Sequence, residues 1–112
     1  EPGVDAVALI EACFPGGSVT GAPKIEVMKI IDRLEPVKRG VYSGSLGYID
    51  FSGALDLNIA IRTLVIKDGR AHFGVGGAIV ADSEPRAEYE ETLTKAQALI
   101  EALRRHAGRA AR

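Results

Sequence analysis

Glu84, Glu88, Glu91 and Lys95 recur at i, i+4, i+7 and i+11 in the stretch EPRAEYEETLTK. A helix would carry all four on one face. Grouped carboxylates form the donor set that a hard divalent cation such as Mg2+ takes, with water and substrate oxygens completing the octahedron. The same spacing also describes a solvated helix face on which Glu91 and Lys95 pair for a few tenths of a kcal/mol. A second group with chemical potential is Arg62, set inside LNIAIRTLVI. Strand alternation puts Ile59, Ile61, Thr63 and Val65 on one face and Asn58, Ala60, Arg62 and Leu64 on the other. A guanidinium in so apolar a strand needs a partner. Its fork matches a carboxylate through two parallel hydrogen bonds, either from an internal Asp or Glu or from a ligand.

FPGGSVTGAPK, residues 14–24, has the glycine content of a loop that lets an anion approach the backbone. A nucleotide phosphate loop needs Lys-Ser/Thr directly after its second glycine. Gly16 and Gly21 have the right separation, but Ala22 follows, Lys24 comes late and Ile25 cannot ligate a metal. Nucleotide binding is excluded on those grounds. The glycines of SGSLG and GVGGA, where strands are expected, point to bulges, to close approach of a ligand or to helix-to-sheet packing. His72 and His106 have no Ser, Cys or second His at a telling spacing, so neither a hydrolytic triad nor a zinc site arises.

The elements that must position these groups follow from periodicity. DAVALIEACF reads as a short helix with Asp5 as its cap and Val4 and Leu9 as a hydrophobic staple. APKIEVMKIIDRL reads as a second helix, capped by Thr20 or Gly21, with Pro23 tolerated in its first turn. Val27, Ile30, Ile31 and Leu34 form its apolar arc, with Met28 at the edge. Lys24 lies within that arc, either snorkelling past the helix start or aimed at a site. EPVKRG reads as a polar turn, VYSGSLGYID as a strand, and LDLNIAIRTLVI as one long strand. Asp68-Gly69 suits a primed turn leading into AHFGVGGAIV. A final helix runs to about Ala107, with Ser83 as a possible cap and Pro85 in its first turn. Its stripe of Tyr89, Leu93, Ala96, Ile100 and Leu103 faces a core, and HAGRAAR forms a frayed tail. The fold class is α+β, an antiparallel-rich sheet flanked by helices in the order α-α-β-β-β-α.

At 112 residues, the chain suffices for one domain with a modest core. It is 46% hydrophobic and 26% charged, with a net charge of −1. No basic excess points to nucleic acid, and no apolar run is long enough to span a membrane. The lone Cys13 cannot form an internal disulfide, which is consistent with a reducing cytoplasm. The chain opens on EPGVDAV without a Met and shows no signal peptide, so it reads as a piece of something longer.

FPGGSVTGAPKIEVMKIIDRLEP, RGVYSGSLGYIDFSGALDLNIAIRTLV and VGGAIVADSEPRAEYEETLTKAQAL together resemble the C-terminal part of the chorismate-utilising enzymes. FPGGSVTGAPK and DLNIAIRTL favour the aminodeoxychorismate synthase branch over the anthranilate synthases. The resemblance implies that residues 1–112 are an incomplete segment of a larger four-layer chorismate-binding fold. Arg62, together with Tyr42, would grip a carboxylate of chorismate. Backbone N–H groups around Gly76, Gly77 and Ala78 would hold the same end; many relatives have glycine where Ala78 stands, which leaves close approach there open. Ser18 would stand beside the ring. Glu88 and Glu91 would ligate Mg2+, supported by Lys95. The general base and the covalent nucleophile would lie upstream, leaving no catalytic residue within this chain and the isolated chain inactive. A glutaminase subunit or domain would supply ammonia, towards folate. Two other readings remain open: an anthranilate synthase segment, or a non-catalytic α+β module that self-associates. Exposed strand edges and apolar faces would favour a homodimer.

Overall fold

Asp5 starts the first helix by accepting the Ala8 N–H on its Oδ1 at 2.8 Å, one of the donors a helix N-terminus leaves orphaned. This helix, α1, spans Ala6–Cys13. The computed structural model describes residues 3–110, with side chains through residue 107. Among the described residues, eight elements follow the order α-α-α-β-β-β-β-α. They fall into two compact units, Glu1–Ala60 and Ile61–Arg112. The class is the α+β one expected, with antiparallel strands throughout. The finer order differs, for two local reasons.

The first reason lies in residues 17–20, expected as loop, which form one helical turn, α2 (Gly17–Thr20). The turn stops at Gly21, whose φ of +101° suits glycine. A Cβ there would also sit 2.9 Å from a Val27 methyl group. Thr20 and Gly21 therefore close α2 and do not cap the next helix. Helix α3 (Lys24–Leu34) starts after Pro23, with no side-chain cap. Its half-buried line is Lys24, Val27, Ile31 and Glu35, whereas Leu34 is 76% exposed.

The second reason lies in LDLNIAIRTLVI, which is not one strand. Its first part, β2 (Leu55–Ile59), pairs antiparallel with β1 (Ser45–Ile49), Gly47 opposite Leu57. A Cβ at Gly47 would lie 1.9 Å from the Asp56 carbonyl oxygen, so this pairing requires glycine. Ala60 ends the pairing by donating to Gly44 O and accepting from Ser43 N–H. Arg62 then turns the chain at φ +51°, and β3 (Val65–Lys67) begins a separate hairpin with β4 (Arg70–His72). Asp68 and Gly69, at φ +50° and +71°, form the primed turn expected between them. Two antiparallel hairpins thus replace the expected three strands.

Helix α4 (Pro85–Ala110) runs past Ala107, so residues 106–110 of the expected tail are helical, while residues 111 and 112 lie outside those described. Among the described residues only Ala60 and Ala96 are buried, short of the modest core expected. Within each unit the elements present one another with few apolar partners, and large side chains such as Ile25, Phe51 and Ile79 stay exposed. No helix of the described residues is long and apolar enough to cross a membrane.

Candidate functional site

In the second unit, residues 73–80 follow β4 without regular hydrogen-bonded structure and carry the GVGGA stretch. The chain turns at residues 81–82, closed by Ser83 N–H donating to Val80 O. Pro85 opens α4, where its missing N–H costs nothing. The cap comes from Glu84, whose Oε2 accepts the Ala87 N–H at 2.8 Å, and not from Ser83 as expected. With Glu84 committed to the helix end, Glu88 and Glu91 are the carboxylates one and two turns on.

The face of α4 that carries them is partly covered. Glu88, Thr92, Lys95 and Leu99 are half-buried and Ala96 is buried, whereas Tyr89, expected on the core stripe, is 62% exposed. The covering backbone belongs to GVGGA. Lys95 Nζ donates to Gly76 O at 3.2 Å and also pairs with Glu91 one turn back. Glu88 Oε2 stands so close to Gly77 that a Cβ there would lie 3.0 Å from it. Its Oε1 accepts the Ser83 hydroxyl at 2.6 Å. Gly76, Gly77, Glu88, Glu91 and Lys95 therefore gather at one place. The Glu91–Lys95 pair expected of a solvated face is present, but the same ammonium also pins an irregular glycine segment onto the helix. Ala78 continues that segment in an exposed position.

Arg62, of the same unit, is not a mid-strand residue. It lies in the break before β3, exposed, with a left-handed backbone that costs a non-glycine residue about 1 kcal/mol. Among the described residues no internal carboxylate pairs with it, so the internal-acid alternative is not realised there.

In the first unit, Ser18 is exposed on the α2 turn. Tyr42, expected on a strand, lies in the turn at residues 40–43 before β1, because β1 pairing begins only at Ser45. It lines a cleft of about 400 Å³ with Pro15, Thr20, Met28 and Ile31. Arg39 builds this corner, and no pattern in the sequence marks it. Its guanidinium clasps Glu35 (2.5–3.1 Å), donates to Val19 O at 2.8 Å and lies 5.7 Å from the Tyr42 ring centroid. The Arg39 hydrogen bond holds the Glu35 carboxyl below the usual glutamate range, against the opposing effect of burial.

No group of three or more His, Cys, Asp or Glu side chains gathers as a metal cage among the described residues. The pair Glu88 and Glu91 still fits a magnesium-type ion, which takes one or two carboxylates and fills its remaining positions with water and substrate oxygens.

Comparison with known proteins bears on what this site serves. A family model described as chorismate binding enzyme matches residues 1–101. An aminodeoxychorismate synthase of Streptomyces griseus is 58% identical over 97 residues, covering 87% of this chain and 13% of that protein. Anthranilate synthase component 1 of Pseudomonas aeruginosa is 52% identical over 101 residues, covering 90% of this chain and 20% of that protein. Among solved structures, anthranilate synthase component I from Streptococcus pneumoniae superposes with a TM-score of 0.79 at 47% identity, covering 87% of this chain. The chain spans 22% of that structure, so its architecture is a segment of a larger fold.

Proposed function

This chain belongs to the chorismate-binding enzymes, and on that premise we propose that it supplies part of the chorismate site of an aminating synthase of the aminodeoxychorismate type. The observation that carries the reading is the anchoring of Gly76 and Gly77 onto the Glu88–Glu91–Lys95 face of α4. Backbone N–H groups from residues 76–78 hold a carboxylate of chorismate, and Arg62 grips it with a bidentate fork. An anion seated beside Glu88 and Glu91 is repelled unless a cation intervenes, and Lys95 offsets only one of the two charges. Glu88 and Glu91 hold Mg2+ for that purpose. When bound, the ion supplies Lewis-acid stabilisation of the charge that develops as the ring hydroxyl departs.

The general base, the nucleophile and the ammonia-delivering glutaminase lie outside these residues. The exposed apolar faces of both units support a role as part of a larger assembly. The isolated chain accordingly shows no turnover of chorismate, and measurable amination by it would overturn this. In the full-length enzyme, Glu91→Gln lowers turnover about 100-fold at fixed magnesium; wild-type turnover would remove Glu91 from the metal. The anthranilate reading draws on relatives of comparable identity. Product analysis separates the two: aminodeoxychorismate is expected, and anthranilate would replace the narrower assignment.

A further inference from the structure

We propose that Ser83 is a positioning residue for Glu88, fixing which carboxylate oxygen faces the glycine segment. The Ser83 side chain is bonded on both sides: its Oγ accepts the Val80 N–H at 3.0 Å and donates to Glu88 Oε1 at 2.6 Å. Its backbone N–H returns to Val80 O at 3.1 Å. Val80 takes one of the two acceptor positions of the hydroxyl, and its single proton goes to Glu88, whose carboxylate has none to give. Oε1 is thereby occupied and Oε2 is left beside Gly77, where a Cβ would come within 3.0 Å. Serine on one side and glycine on the other confine a carboxylate that would otherwise sample several rotamers. The turn at residues 80–83 thus sets the orientation of a charged group five residues on. Ser83 is half-buried and has no role in capping α4, so its hydroxyl is free for this task.

The inference rests on the proposed reading of Glu88 as a metal ligand. Hydrogen-bonded partners of metal ligands typically contribute 10- to 100-fold in affinity. The test is made on the full-length enzyme, with Mn2+ titrated as the probe and the unbound ion read from its electron paramagnetic resonance signal. Ser83→Ala is expected to weaken Mn2+ binding about 10-fold at unchanged melting temperature, and Ser83→Thr to restore it to within about 3-fold. Should Ser83→Ala fail to fold, Ser83→Cys keeps the volume with a weaker donor, and an intermediate loss is expected. Wild-type Mn2+ affinity in the folded alanine or cysteine variant would overturn the positioning role. Glu88→Gln separates the two levels: loss of Mn2+ affinity there with none in Ser83→Ala rejects Ser83 alone, while unchanged affinity in Glu88→Gln rejects both.

Discussion

Arg39 and Arg62 are two guanidiniums on short irregular stretches beside strands, and their surroundings differ in kind. Arg39 directs its donors to both oxygens of Glu35, to Val19 O and, at 3.4 Å, to Ser43 Oγ. It joins the α2 turn, the end of α3 and the Tyr42 turn within the first unit. Arg62 sits on left-handed backbone, exposed, with no carboxylate partner among the described residues. A guanidinium with four of its five donors engaged by its own chain can hold a structure but has little left for a ligand. One held on an unfavourable backbone with its fork unengaged has the opposite properties. Backbone strain of this kind concentrates at functional positions.

The sharpest way to break this contrast is to truncate Arg62. In the full-length enzyme, Arg62→Ala is expected to lower kcat/KM at least about 30-fold, since losing one partner of a desolvated charge pair costs about 2–5 kcal/mol. Its unfolding midpoint should stay at the wild-type value, because alanine keeps the Cβ that makes the left-handed turn unfavourable. Arg62→Lys keeps the charge but loses the fork, so it should recover only part of the loss. A destabilised but fully active Arg62→Ala would place this residue beside Arg39 as a structural element. For Arg39→Ala the expectation is reversed: about 2 kcal/mol of stability is lost from its charged hydrogen bonds. Denaturant unfolding reads that loss, and the activity per folded molecule should fall less than in Arg62→Ala.

How much of this contrast was legible in the sequence depends on how local its causes are. The Asp5 cap and the Asp68–Gly69 turn are set by neighbours within three residues, and both were readable. The break after Ala60 was not, because it depends on pairing with Ser43 and Gly44 across the hairpin, while the apolar alternation continues unbroken through it. The same limit hid Arg39, whose acceptor at Val19 lies 20 residues away. Glu88, Glu91 and Lys95 were visible as a pattern, but two readings stayed open, since the GVGGA backbone reaches them from 19 residues upstream of Lys95. Ser83 was visible as a helix-start signal. Pro85 explains why: a serine shortly before a helix-opening proline suits a cap, and only the structure shows Glu84 in that place.

The smallest effect in the set tests whether Arg39 is committed to Glu35 as its geometry implies. Glu35 titrates below the usual glutamate range because Arg39 bonds its charged form, whereas the unfolded chain returns it to the ordinary value. A folded-state pKa that is depressed means stability present above the unfolded pKa and lost as pH falls through the folded one. The pair is partly open to solvent, with side-chain exposures of 25% and 36%, so its contribution at neutral pH is at most about 1 kcal/mol. Denaturant unfolding of the full-length wild type and Glu35→Gln from pH 7 to pH 3 should therefore give two curves separated at neutral pH that converge in acid. Asp32 and Asp50 are also lowered, by Lys38 and by Ser52, but they are shared by both proteins and cancel in the difference. Repeating the comparison in an Arg39→Ala background isolates the pair, because removing the guanidinium should bring the curves together at every pH. A gap that persists there would mean that Glu35 is held by something other than Arg39, and the contrast between a committed arginine and an available one would lose its structural half.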